Sequence, residues 1–385
     1  MTLGLGLIGT GFMGKCHALA YGAVGAVFEG LPPPRLAVVC DVDEARAEAC
    51  AAAWGFERAT TDWRAVIADP AVDIVSITTP NARHAEMAIA ALAAGKHVHC
   101  EKPMALTLAD AERMAAAAAA APGRTRLGYN YTANPTLAHA ARLVADGTLG
   151  RVFHVRALYD EDYMADAALP WSWRCRRSEA GLGALGDIGC HAVSILAMLV
   201  GPISAVVADT AAAYPTRPLP DRPGETGTVE NEDLAAALLR FAGGASGVLA
   251  TSRAAHGTKN AIRIELHGTR GLLRFDQERM NELQLFLADG PPETRGFRTI
   301  LTGPAHPPYG RFCPAPGHGL GFNDLKVIEV AQFLEAIAAG SSPSFDFAAG
   351  LAVERVIHAI ARSAEEGRWV EVLPSADDGP AEASA

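Results

Sequence analysis

An apolar run that breaks into the glycines of Gly9-Thr10-Gly11-Phe12-Met13-Gly14 opens the chain, and no other segment narrows its possible folds as much. Such spacing between a strand and a helix suits a dinucleotide. Gly9 makes the tight turn, Gly11 lets a pyrophosphate approach the backbone, and Gly14 packs helix on strand. The helix N-terminus adds free N–H groups and a positive dipole end. Thr10, Phe12 and Met13 belong to the same turn and are expected to meet the cofactor. The second strand, 35–41, ends in Asp41, delayed by the insertion Leu31-Pro32-Pro33-Pro34. A carboxylate there accepts hydrogen bonds from ribose hydroxyls and repels a 2′-phosphate, and no Arg or Lys directly follows it, so NAD is expected over NADP. The competing use of Asp41, capping the next helix, suits Asp43 better.

Short apolar runs alternate with helical patterns through the first third: strands at 3–9, 35–41, 71–78, 96–100 and 125–129, and helices at 13–27, 43–55, 82–94 and 108–121. That alternation predicts an α/β Rossmann domain with a parallel sheet over 1–129. Longer strand candidates follow at 151–159, 203–213, 233–255, 261–276 and 281–287, with Gly243-Gly244 as a hairpin turn. They predict an α+β domain with a large open, mainly antiparallel sheet over 130–374, for substrate binding and oligomerisation, helical again from 323 to 366. Two long loops, 214–229 and 303–321, are expected, one bordering the active site. The polar tail 375–385 is expected to be disordered.

A length of 385 residues suits two domains. The formal charge of −10 disfavours nucleic acid or an anionic membrane as partner and leaves a small soluble ligand. Seven cysteines without a Cys-x-x-Cys pair suggest a reducing compartment, and the N-terminus, with no basic leader, suggests a cytoplasmic protein. No uncharged apolar run reaches the length of a membrane span. Twelve histidines fall into no metal-ligating spacing, and His97-x-His99-Cys100 cannot converge easily from one strand, so no metal is expected. A Gly-x-Ser-x-Gly elbow is lacking as well.

The strand 96–100 runs into Glu101-Lys102-Pro103, and in an open α/β sheet ligands sit at the carboxyl ends of strands. Lys102 therefore faces the crevice or is an ordinary solvated lysine. In Gly186-Asp187-Ile188-Gly189-Cys190-His191 the four-residue separation puts Asp187 and His191 on one helical face. They form an acid/base pair, or a capping Asp beside an unrelated His.

The glycine motif, Thr79-Pro80-Asn81-x-x-His84, Glu101-Lys102-Pro103 and Gly186-Asp187-x-Gly189-x-His191, in this order, resemble the Gfo/Idh/MocA oxidoreductase family over nearly the whole chain. The resemblance implies that Lys102 and His191 flank a reacting hydroxyl while Asp187 orients them. Removing hydride from a carbinol needs its proton taken together with it, which suits an imidazole, and a lysine stabilises charge developing on oxygen. Thr79, Asn81, His84, Glu101, Asn130, Trp173 and Arg174 match positions that line the family's cofactor cleft, and Lys102–Pro103 is expected to be cis as in relatives. Tyr131, Tyr159, Asp162, Tyr163, His306 and Tyr309 are candidates for sugar contacts. Thr132 stands where many relatives carry Arg, which puts nearby substrate contacts in doubt. Trp171-Ser172-Trp173-Arg174, Ala255-His256-Gly257, Gly296-Phe297-Arg298 and the run 302–307 look most similar to members acting on glycosides and anhydrosugars. The implied reaction is NAD-dependent oxidation of a secondary hydroxyl, at C3, of a sugar, a levoglucosan-like anhydrosugar or a glycoside. Alternatives are an inositol or cyclitol dehydrogenase, an NAD-dependent glycoside hydrolase using transient oxidation and elimination, and a non-catalytic NAD-binding regulator. The intact Lys102, Asp187 and His191 argue against the last. An apolar sheet face left open predicts a homodimer or homotetramer.

Overall fold

Gly4–Ile8 (β1) is buried at every position, as a strand covered by helices on both faces must be. In the computed structural model, which describes residues 2–372, it lies at the centre of a six-stranded sheet. Its partners are Arg35–Cys40 (β2), Arg58–Thr60 (β3), Ile74–Ile77 (β4), His97–Cys100 (β5) and Thr125–Leu127 (β6), all parallel, in the order β3-β2-β1-β4-β5-β6. The crossovers carry Phe12–Val27 (α1), Glu44–Trp54 (α2), Trp63–Ala68 (α3), His84–Ala93 (α4) and Leu108–Ala120 (α5). Asp43 caps α2 by accepting from Arg46 N–H, so Asp41 is not the cap of that helix. The strand β3 and the helix α3 have too few residues to show a period and were not expected.

The second sheet has nine strands. After Pro135–Ala145 (α6) come Val152–Asp160 (β7), the single turn Arg177–Ala180 (α7) and Cys190–Val200 (α8). Ile203–Ala211 (β8) follows, then a small ribbon of Thr216–Pro218 (β9) and Thr226–Thr228 (β10) inside the expected 214–229 loop. The expected run 233–255 divides at Gly243-Gly244 into Leu234–Phe241 (β11) and Ser246–Ser252 (β12), and the run 261–276 into Ala261–Gly268 (β13) and Gly271–Asp276 (β14). Glu282–Leu287 (β15) and Arg298–Leu301 (β16) extend one edge; Phe322–Ala339 (α9), Phe347–Glu366 (α10) and Val370–Glu371 (β17) complete the order, β17 on the other edge. The order is β16-β15-β14-β13-β7-β12-β11-β8-β17, antiparallel except between β7 and β12.

Contacts divide the chain into one unit of 1–133, 307–314 and 320–351, and a second of 134–306, 315–319 and 352 onward. Residues 320–351, expected in the second domain, thus belong to the first, because α9 packs along α1. The helical stretch Arg177–Val200 is long and apolar enough to match a membrane span by length and mean hydropathy, 1.7, but it contains Arg177, Glu179 and Asp187 and so is not the uncharged run whose absence was expected. Seventy-eight per cent of its apolar window is buried within the fold, as in a core helix, and it carries Asp187 and His191. The expected disordered tail 375–385 lies outside the described residues.

Candidate active site

In the first unit, Gly9 turns the chain at φ +100°, a conformation an L side chain rarely adopts. A Cβ on Gly14 would lie 2.2 Å from the Gly9 carbonyl oxygen, so α1 can approach β1 only with glycine there. A Cβ on Gly11 would meet nothing within 4 Å, and Gly11, as N-cap of α1, makes no side-chain cap bond. An open backbone at an uncapped helix N-terminus is the cradle a pyrophosphate needs. Asp41 follows β2 directly. Its Oδ2 accepts from Thr10 N–H at 3.0 Å and from the Thr10 hydroxyl, and its Oδ1 from Asp43 N–H at 3.2 Å. Burial alone would raise the Asp41 carboxyl, but these bonds and the nearby Arg46 guanidinium hold it below the usual carboxylate range. Arg46 donates to the Thr10 carbonyl at 2.9 Å with Nε 3.9 Å from Asp41, a cation that adjacency in sequence could not reveal. Phe12 is 73% exposed and Met13 half-buried on the same turn. The residues present therefore fit an NAD: a glycine cradle for the pyrophosphate and a charged carboxylate at the ribose position.

Glu101 and His84, expected to line a cofactor cleft, turn inward instead. His84 is fully buried and bridges two loops, Nδ1 to the Pro103 carbonyl at 2.9 Å and Nε2 to the Thr79 carbonyl at 3.0 Å. Glu101 Oε1 meets His17 Nε2 at 2.8 Å and accepts from the Lys326 ammonium at 2.5 Å, while Oε2 accepts from Lys102 N–H at 3.2 Å. Burial would raise Glu101; Lys326 and His17 hold it well below the carboxylate range. Both residues thus shape the chain that carries Lys102, whose bond to Pro103 is cis. The Thr79 hydroxyl lies 3.8 Å from Met87 Sδ, and Asn81 opens the 3-10 turn Asn81–Arg83. Asn130 and Tyr131 are almost fully buried; Tyr131 packs edge-on against Phe322 at 6.1 Å between ring centroids. Thr132, in place of Arg, closes the turn by donating its hydroxyl to the Tyr129 carbonyl at 2.7 Å. Tyr309, 1% exposed, is a core residue of this unit.

In the second unit Asp187 lies on a π turn, Leu185–Gly189, closed by Cys190 N–H on the Leu185 carbonyl and continued by α8. Such turns occur frequently at functional sites. The Tyr163 hydroxyl donates to Asp187 Oδ2 at 2.6 Å, and Arg174 Nε stands 3.9 Å from the same oxygen. Burial and the Asp187 carboxylate push the Tyr163 phenol well above its usual value, so it remains a donor. Trp173 lies under the Arg174 guanidinium at 4.5 Å. His191 is 4% exposed, with the Tyr159 ring 6.1 Å away; the Tyr159 hydroxyl donates to Glu161 at 2.7 Å. Two candidates for sugar contacts are committed elsewhere: Asp162 pairs with Lys259 at 2.5 Å, and His306 packs edge-on against His139.

Several supporting residues were not anticipated. Arg253 pairs with Asp233 at 2.8 Å and donates to Asn231 at 2.9 Å; Asn231 donates in turn to the Arg174 carbonyl at 3.0 Å. Glu232 accepts from Leu185 N–H at 3.0 Å, so the stretch 231–233 pins both the Arg174 loop and the π turn. In the first unit His17, Ser76, His99, Lys326 and Glu329 form a buried cluster. Its one sequence signal is a lysine and a glutamate three residues apart within the apolar run 325–334. Ligand atoms of His17, His99 and Glu329 lie within 4.8 Å of one another. A cation there would have to displace the Lys326 ammonium, 3.0 Å from Glu329.

The chain belongs to the Gfo/Idh/MocA oxidoreductase family: residues 3–129 match its oxidoreductase part, described as an NAD-binding Rossmann fold, and residues 137–274 match its C-terminal domain. It is an NAD-binding oxidoreductase. Levoglucosan dehydrogenase of Pseudarthrobacter phenanthrenivorans is 43% identical over 385 residues, 96% of this chain and 98% of the relative. A solved structure of levoglucosan dehydrogenase in complex with NADH and levoglucosan superposes with a TM-score of 0.93 at 42% identity, over 97% of this chain and 100% of that one. Inositol 2-dehydrogenase of Rhizobium meliloti is more distant, 28% identical over 97% of this chain and 100% of the relative.

Proposed function

We propose that the chain oxidises a secondary hydroxyl of a sugar, with an anhydrosugar of the levoglucosan kind as preferred substrate and C3 as the carbon oxidised. The observation that carries this reading is the full-length similarity to levoglucosan dehydrogenase, in a chain that has Lys102, Asp187 and His191 in the motifs noted above. NAD, when bound, supplies the hydride acceptor. The glycine turn at 9–14 and Asp41 hold its pyrophosphate and ribose. His191 takes the hydroxyl proton, Lys102 lends positive charge to the oxygen as negative charge develops, and Asp187, held by Tyr163, orients the acid/base partner.

NADH formation by the purified protein against levoglucosan, glucose, simple glucosides and inositols tests the proposal. Levoglucosan is expected to give the highest kcat/KM, and Lys102→Ala to lower it by about 10²–10³-fold. Borodeuteride reduction of the product, with the label located by NMR, should mark C3. Preference for an inositol would make the protein a cyclitol dehydrogenase, and release of an aglycone without net NADH would make it a hydrolase.

We also propose that two or four copies assemble through the outer face of the nine-stranded sheet. Leu158, Val207, Ala236, Leu238, Val248 and Ala250 line a shallow apolar concavity there, and Leu238 is 50% exposed. Arg156, Arg263 and Glu265 at its margin carry both signs of charge, which a two-fold axis can pair with themselves.

A further inference from the structure

The buried cluster of the first unit has a composition that packing alone does not call for. Helix α9 turns Leu325, Val327, Ile328, Val330, Ala331, Phe333 and Leu334 into the core, and among them Lys326 and Glu329 are fully buried. The Lys326 ammonium contacts Glu101 at 2.5 Å and Glu329 at 3.0 Å. Burial would lower Lys326, but the two carboxylates hold it above the usual range, so it stays charged. His17 and His99, both lowered first of all by burial, are neutral. The tautomer that satisfies each is the same: Nε2–H donates to a carboxylate, Glu101 or Glu329, and Nδ1 accepts from a hydroxyl, Ser76 at 2.7 Å or Tyr21 at 3.1 Å. Lys326 is therefore the cation that holds Glu101 ionised. Apolar side chains of similar volume would stabilise such a site as well or better, so the charges are not explained by stability.

Glu101 precedes Lys102 directly, and its Oε2 holds the Lys102 amide at 3.2 Å. Gly128 crosses its other side so closely that a Cβ there would lie 2.5 Å from Oε1, leaving the carboxylate a single seat. We propose that Lys326 is a positioning residue for the oxidation: through Glu101 it fixes the backbone of Lys102 and supplies a fixed positive charge beneath it. This rests on the reading in which Lys102 is catalytic. Without Lys326, Glu101 keeps only His17 and the Lys102 amide: ionised, it is a buried anion with no cation to fix its place, and protonated, it is a weaker acceptor, so the Lys102 amide is held less firmly.

Lys326→Met, Lys326→Arg, the double variant Lys326→Met/Glu329→Gln and Lys102→Ala are compared by kcat, KM for NAD and sugar, pH profile and melting temperature. The double variant removes one charge of each sign, so no net charge is created in the core. It and Lys326→Met are expected to lose about tenfold to a hundredfold in kcat with little change in KM for NAD. In Lys326→Met the acid limb of log kcat against pH should move upward, because removing a buried positive charge raises the proton affinity of groups near it; in the double variant, which also loses a negative charge, it should move less. Lys326→Arg should restore much of kcat and return the limb toward its original place. Folded Met variants with wild-type kcat and an unmoved profile overturn the proposal, and so does failure of both to fold, which makes Lys326 a residue of stability only. If Lys102→Ala itself turns over normally, the catalytic reading falls first; if it is inactive while the Lys326 variants are normal, only the positioning role falls.

Discussion

Asp41 and Arg46 set opposite preferences at one end of the cofactor. The carboxylate, kept ionised by Thr10, Asp43 and Arg46, is the group proposed to accept the ribose hydroxyls, and it would repel a 2′-phosphate, while the guanidinium beside it would attract one. Repulsion prevails because Asp41 lies at the strand end, whereas Arg46 is occupied by the Thr10 carbonyl and half in solvent, where its charge is screened. Asp41→Ser should leave Arg46 as the dominant charge. The ratio of kcat/KM for NADP to that for NAD is then expected to rise by at least about tenfold, and Arg46→Ala added to Asp41→Ser should reverse most of the gain. A ratio unchanged in Asp41→Ser would take cofactor choice away from this residue.

The packing of α1, β5 and α9 joins residues far apart in sequence, and it gives the first unit an acid-sensitive core. Burial above all holds the His99 imidazole down at about 3, so the native protein leaves it neutral while an unfolded chain protonates it below the ordinary value of 6.5. Stability must then fall as pH drops through that window. Glu329, raised by burial but held down at about 2 chiefly by Lys326, adds a second loss as pH falls below the ordinary carboxyl value of 4.5. Thermal melts from about pH 8 to about pH 4 should show the melting temperature declining below about pH 6.5, and His99→Gln should flatten the upper part of that decline. The same elements mark the limits of reading the sequence. The strands β1, β2 and β5 and helices α1, α2 and α5 were legible within a residue or two, because apolar runs, Pro and Gly act locally; β4, expected to begin at 71, begins only at Ile74. Gly9, Lys102, Asp187 and His191 could be singled out as candidates because each belongs to a short pattern, and Asp41 because it ends a strand; their roles are the ones proposed above. Lys326, Arg253 and Arg46 were not: a buried ion pair depends on where a distant helix or loop folds back, which no local period records. Glu101 and His84 sit in readable motifs, yet their side chains turn inward, and only coordinates reveal direction.

Across the whole molecule, the second sheet offers a face that none of the described residues covers. On β11 buried and exposed positions alternate, and the exposed set, Leu234, Ala236, Leu238 and Arg240, is mostly apolar. Light scattering is expected to give twice or four times the chain mass, and Leu238→Lys to shift the population toward single chains. A wild-type monomer would reject this assembly. Helix α9 gives the molecule a further property. Its residues leave the ribosome long after β1 to β6, yet its lysine and glutamate complete the core in which Glu101 and His99 are embedded. The nucleotide-binding half is thus not a cassette that a gene fusion could lift out by cutting near residue 133: its last structural piece is encoded on the far side of its neighbour, so synthesis of one half must wait for the other.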